Sequence, residues 1–272
     1  MRDERMVPDQ PAPYNPMLWC PTMQRLRTRG LTVPYSNRLG PAAPARGFPP
    51  ELTSRLFQGV DKKVLDSFLE LAMCTRRLPG ELFCNQDEPA TSLFVLTTGL
   101  VKLCGVTSEG KEVLVSWLRP GDCFGSGALV AYPTSNIWTV CAVEVSEALE
   151  WSTLAVKRLN ILSFLRENAL RIAIGWTGKL QQRLQEIATE MVEQRLGHLV
   201  TQLPGLAKND GILELRGSDE ELAQMAGTNL YTVSRVLSRW QRLGYIEKRR
   251  GRLLVFRLEE LRKIADNSRT VT

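Results

Sequence analysis

The sequence predicts an α+β chain: an antiparallel barrel of the jelly-roll kind, then one long helix, then a C-terminal winged helix-turn-helix. Three observations predict it. Between Arg77 and Trp151, short apolar runs alternate with glycine-bearing turns. From about Glu167 to Thr201 the chain carries no proline, and apolar residues recur in steps of three and four. Between Ser218 and Val255, two short helical patterns meet at Gly227 and are followed by two apolar stretches around a basic turn.

Residues 1–50 hold ten of the fifteen prolines and show little apolar periodicity, so they read as a disordered leader. Residues 51–165 read as a β-domain with flanking short helices. Leu56-Phe57 and Val64, Leu65, Phe68, Leu69 and Leu71 recur at helical spacing up to Arg76. Strands are expected at Leu82-Phe83, Leu93–Leu96, Leu100–Leu103, Val113–Leu118, Ile137–Val143 and Ala148–Trp151. Glycines 80, 99, 110, 121 and 125 punctuate them.

Residues 166–195 read as a dimerisation helix. Leu170, Ala173, Thr177, Leu180, Leu184, Ile187 and Met191 form an a/d seam suited to a two-stranded coiled coil. The alternative is a helix packed on its own domain. The charged and amide residues on the rest of its surface, including Lys179, Gln182, Arg183 and Glu190, leave one narrow stripe to bury, which favours the dimer.

Residues 196–272 read as the winged domain. Ser218-Asp-Glu-Glu221 is a capping box opening a helix through Met225, and Gly227 ends it. Thr228 is expected to cap a second helix that buries Val233, Val236, Leu237 and Trp240 and stops at Gly244. Its polar face carries Asn229, Tyr231, Thr232, Ser234, Arg235, Ser238 and Arg239, and its N-terminal half is placed to reach base edges in a major groove. Arg235 suits a bidentate contact to guanine O6 and N7. The following hairpin puts Lys248, Arg249, Arg250 and Arg252 at a wing tip, beside the phosphate backbone. Ser218 and Thr228, at the two helix starts, complete the expected contact set.

Composition sets the bounds. A hydrophobic fraction of 43% with 24% charged residues fits a globular chain, and no apolar run approaches the roughly 20 residues of a membrane span. The N-terminus lacks a secretory h-region, so a cytoplasmic location without membrane attachment is expected. Cys20, Cys74, Cys84, Cys104, Cys123 and Cys141 stand singly and read as packed thiols, with redox sensing by Cys104, Cys123 and Cys141 left open. His198 is the only histidine, so neither a histidine-based metal centre nor a Ser-His-Asp hydrolase can be built, and no enzyme or metal site is expected. Net charge is +6, and seven basic residues between Thr228 and Arg252 face one acid, Glu247.

These motifs resemble the CRP/FNR regulators. Leu78-Pro-Gly-Glu-Leu-Phe83, Thr98-Gly-Leu-Val-Lys-Leu103, Glu109-Gly-Lys-Glu-Val113 and Pro120-Gly-Asp-Cys-Phe-Gly125 look like that family's cyclic-nucleotide-binding-like β-roll, and Thr232-Val-Ser-Arg235 like its recognition helix. The resemblance implies a homodimer joined along the long helix, palindromic double-stranded DNA and RNA polymerase as partners, and Arg235 on a G·C pair. Leu230-Tyr231 stands where many members have Arg-Glu, which implies a TTG-like core. The effector pocket falls on Gly125, Ser126, Gly127, Ala128, Leu129, Asn136 and Ile137. Ser126 replaces the ribose-binding Glu, and Asn136-Ile137 replaces the phosphate-binding Arg-Ser, so cyclic AMP is not the expected effector. Solitary Cys20 argues against an iron–sulfur cluster, and no cofactor is assigned. Haem- or redox-dependent regulation on the same fold stays open, as does a ligand-binding module with vestigial DNA binding.

Overall fold

The computed structural model describes residues 53–266 apart from 111, 158–160, 204 and 208–211. The proline-rich leader, with Cys20, lies outside the described residues. Eight strands form two antiparallel four-stranded sheets. One sheet runs β1 (Met73–Arg77), β8 (Ser146–Ser152), β3 (Ser92–Thr98), β6 (Cys123–Phe124), and the other β2 (Leu82–Cys84), β7 (Thr139–Ala142), β4 (Val101–Val106), β5 (Glu112–Leu118). Phe83, Phe94, Leu96, Leu103, Phe124, Val140 and Ala148, drawn from both sheets, fill the space between them. Phe94 and Phe124 stack at 4.9 Å, and Phe83 meets both edge-on, a geometry that the ring quadrupoles favour.

The first strand departs from the expected helix. Met73-Cys-Thr-Arg-Arg77 lacks apolar alternation because it is an edge strand: it pairs with β8 alone and its side chains stay largely accessible. The helical part is a 3₁₀ turn at Arg55–Phe57, which buries Leu56 and Phe57, and α1 (Lys62–Glu70), capped by Asp61 and pinned by Phe68, which stacks at 4.7 Å on buried Trp151. The Trp151 indole donates to the Phe68 carbonyl at 2.7 Å, so this large ring is buried without stranding its donor.

After α2 (Thr153–Lys157) comes α3 (Leu162–Thr189), a helix of 28 residues. It is held on the β-domain along one face. Arg166 Nε donates to the Leu129 carbonyl at 2.7 Å, Asn168 Nδ2 to Leu56 and Gln58 carbonyls at 3.0 and 2.8 Å, and Arg183 Nη1 to the Val115 carbonyl at 3.0 Å. The helix expected over 166–195 is broken. Glu190 and Met191 are extended, and α4 (Val192–Gln202) starts afresh, with the Gln194 side chain accepting from the Met191 amide at 2.9 Å. Met191 therefore lies beyond the long helix.

The winged domain contains α4, β9 (Gly205–Ala207), β10 (Leu213–Arg216), α5 (Asp219–Met225), α6 (Leu230–Arg242), β11 (Ile246–Arg249), β12 (Arg252–Val255) and α7 (Leu258–Asp266). Its sheet order is β11-β12-β10-β9. Leu196, Val200, Leu222, Val233, Leu237, Trp240 and Leu261 make its core, which continues into the β-domain through Leu100, Cys104, Leu114 and Trp117. Polar contacts follow the same seam: Gln224 Oε1 accepts from the Leu114 amide at 3.0 Å, Lys102 pairs with Glu221 at 3.7 Å, and Arg216 pairs with Glu144. No helix among the described residues is long and apolar enough to cross a membrane.

Candidate nucleic-acid interface

The two helices of the motif are each started by a side-chain cap. Ser218 Oγ accepts from the Glu221 amide at 3.1 Å while Glu221 Oε2 accepts from the Ser218 amide at 2.9 Å, closing the capping box. Gly227, at φ +61°, makes the tight turn, a left-handed conformation in which glycine carries no Cβ penalty. The second cap is Asn229 and not Thr228: its Oδ1 accepts from the Thr232 amide at 2.9 Å. Thr228 sits half-buried in the turn, its amide bonded to the Ala223 carbonyl at 3.0 Å. Ser218 and Asn229 thus serve the helix starts.

Helix α6 then divides into two faces. Val233, Val236, Leu237 and Trp240 are buried as expected. Tyr231, Arg235, Ser238 and Arg242, at i, i+4, i+7 and i+11, form the stripe opposite and are all exposed. Thr232 and Ser234 flank it, half-buried. Arg235 has no hydrogen-bond or ion-pair partner among the described residues, so its fork of donors faces solvent. Arg239 differs: its guanidinium binds Glu193 Oε2 at 3.0 Å, while Oε1 of the same carboxylate accepts from the buried Trp240 indole at 2.9 Å. One acid on α4 thereby fixes the recognition helix on its domain.

The wing is a hairpin whose Arg249 and Arg252 stand opposite each other, with Arg250-Gly251 between. Its basic residues are mostly paired. Lys248 bridges to Asp219 in the first turn of α5, Arg249 to Glu247 at 2.9 Å, and Arg252 to buried Glu214 at 3.1 Å. The Arg249 guanidinium, by hydrogen bond first and charge second, holds the Glu247 carboxyl below its ordinary range. Arg250, exposed at the tip, has no such partner among the described residues. Sequence counting missed these neutralising acids because Glu193, Glu214 and Asp219 all lie outside the basic stretch.

Comparison with known proteins joins the two halves. A cyclic nucleotide-binding domain matches residues 76–159, and a Crp-like helix-turn-helix domain matches residues 194–264. The cyclic AMP receptor protein of Thermus thermophilus is 30% identical over 195 residues, covering 68% of this chain and 84% of that one. The chain belongs to the CRP/FNR family of DNA-binding transcription regulators. Electron transport regulator A of Shewanella oneidensis is 24% identical over 201 residues, covering 70% and 77% of the two chains. The structure of FixK2 from Bradyrhizobium japonicum shares the fold, with TM-score 0.60 at 18% identity over 71% of this chain and 96% of that one.

In this CRP/FNR chain the expected effector residues are divided among different surroundings. Gly125 is left-handed at φ +72° and opens a short 3₁₀ helix over Ser126–Leu129. Ser126 is exposed, Gly127 lies close against Ala90 and Thr134, and Ala128 and Leu129 are buried with Leu56 and Trp151. Asn136 bonds through its backbone to Asp87 and Glu88, and Ile137 faces solvent at 72% exposure. The five cysteines among the described residues are free thiols: burial pushes Cys104 up to about 11 and Cys84 and Cys123 up to about 12, and raises Cys74 and Cys141 as well. His198 packs with Nε2 at 3.5 Å from Glu190 Oε1, and among the described residues no three His, Cys, Asp or Glu side chains are grouped to hold a metal.

Along the long helix, Leu170, Ala173, Thr177, Leu180 and Leu184 are exposed. Ile187 does double duty, since it also packs over Gly227 of the helix-turn-helix. Ile174, 63% exposed, lies beside this stripe and was missed because a/d counting steps over it.

Proposed function

We propose that the chain acts as a homodimer that places α6 of each subunit in successive major grooves of a palindromic site, about 34 Å apart. The observation that carries this reading is the exposed Tyr231-Arg235-Ser238-Arg242 stripe, on which Arg235 is a cation without a partner among the described residues. Arg235 reads a guanine. Arg250 approaches a phosphate, while Lys248, Arg249 and Arg252 reach DNA only by sharing or exchanging their present partners. The dimer forms along Leu170, Ala173, Thr177, Leu180 and Leu184, an apolar line otherwise left in water.

The effector is not a cyclic nucleotide. No Arg or Lys lies between Pro120 and Trp151. Arg166, which reaches the 126–129 turn from α3, is engaged with the Leu129 carbonyl, and Arg216 and Arg76 are paired with Glu144 and Glu147. A cyclic phosphate there would be buried without a charge partner. An effector that alters how α3 sits on the β-domain would reset the separation of the two recognition helices.

Electrophoretic titration of duplex DNA across a range of salt tests the reading. Wild type is expected to show a steep loss of affinity with salt, and Arg235→Ala a loss of about 1–3 kcal/mol confined to cognate sequence. Equal binding of its selected site by the variant overturns the Arg235 assignment. Sedimentation of Leu184→Glu as a monomer supports the seam; an unchanged dimer refutes it.

A further inference from the structure

The recognition helix opens on two apolar side chains for which the fold has no use. Leu230 and Tyr231 are 51% and 78% exposed, while the opposite face of α6 buries Val233, Leu237 and Trp240 completely. Neither side chain has a hydrogen-bond or ring partner among the described residues. The rest of the exposed stripe is Ser and Arg, so the apolar surface is confined to the first turn, the part of a recognition helix that meets base edges.

The donor and acceptor inventory narrows what this turn can read. Helix α6 contains no Asp or Glu, so it offers no carboxylate to accept from the cytosine N4 amino group. The two amide side chains of this helix and its cap, the type that reads adenine, are occupied: Asn229 Oδ1 caps the Thr232 amide and Gln241 Oε1 accepts from the Lys248 amide. The major groove has one apolar group on its floor, the C5 methyl of thymine.

We propose that Leu230 and Tyr231 form an apolar reading head for thymine methyl groups beside the G·C pair contacted by Arg235. The proposal rests on the DNA reading of α6 given above. Four residues of helix rise about 6 Å, close to two base-pair steps of about 3.4 Å, which sets the thymine one or two pairs from that guanine.

The test begins with selection of half-sites from a library of randomised duplexes by the full-length protein, at fixed salt. The position whose preference is lost in Arg235→Ala marks the G·C pair. Each nearby thymine is then replaced by deoxyuridine, which removes only the methyl. Wild type is expected to lose about fourfold in affinity for one substituted half-site and about fifteenfold for both, the burial of one methyl in each. Leu230→Ser with Tyr231→Ser should bind thymine and deoxyuridine duplexes equally, and Tyr231→Glu should select cytosine in place of thymine contact. Selection of a defined site whose thymines all tolerate deoxyuridine overturns the proposal and leaves the DNA reading standing. Failure to select any sequence overturns the DNA reading and the proposal with it.

Discussion

Glu193 is the residue whose removal should report most directly on how the recognition helix is held. Its carboxylate accepts from the Trp240 indole, at a position with no solvent exposure, and from Arg239, whose side chain is 62% exposed. In Glu193→Ala the indole donor stays buried without a partner, a cost of about 1–3 kcal/mol. Loss of an acid from the first turn of α4 adds about 0.3–1 kcal/mol through the helix dipole. The Arg239 pair, largely in water, contributes little. The expected destabilisation is therefore about 1.3–4 kcal/mol. Glu193→Gln keeps an oxygen acceptor for the indole and should cost only about 0.3–1 kcal/mol, the charge component. Urea unfolding followed by circular dichroism measures both. If the alanine variant were as stable as wild type, or glutamine as damaging as alanine, the indole bond would not be the source of the effect.

Three other perturbations address separate parts of the molecule. A Cβ on Gly99, at φ +87°, would stand 2.6 Å from the Val145 carbonyl and 2.7 Å from Ser146 Cα, so Gly99→Ala should lose about 2–5 kcal/mol. Gly110→Ala, also left-handed but in open space, should lose only about 1–2 kcal/mol; equal melting temperatures for the two would refute the steric account. Because burial raises Cys84, Cys104 and Cys123, their thiolate fraction at pH 8 is low, and alkylation should be at least about a hundredfold slower than in the unfolded chain. Rapid modification detected by mass spectrometry would refute this and favour a redox role. Glu247→Gln frees Arg249 from its neighbour, so DNA affinity should rise and the salt slope steepen by about one; an unchanged slope would remove Arg249 from the phosphate contacts.

What sequence alone made legible was the locally determined part. The Ser218 box, the Gly227 turn and the apolar face of α6 all depend on spacing within a few residues, and they fold as that spacing dictates. The break at Glu190-Met191 was hidden because neither proline nor glycine marks it; Gln194 stabilises the new start through a side-chain cap that resembles an ordinary helix residue in sequence. Strand β1 was hidden because an edge strand need not alternate. The wing's true charge was hidden because its neutralising acids arrive from other elements. Non-local pairing of this kind has no period to read.

The contact between Gln224 and the Leu114 amide, with Lys102 on Glu221, bears on how modular this regulator is. Glu221 both caps α5 and faces the β-domain, so the reading unit and the barrel are not interchangeable cassettes. A chimera that grafts residues 194–264 onto a foreign barrel would strip Leu100, Cys104, Leu114 and Trp117 from the core they share with Leu215, Leu222 and Met225. Such a fusion has to import the β4–β5 hairpin along with the DNA-binding unit, which makes that hairpin part of the transplantable module.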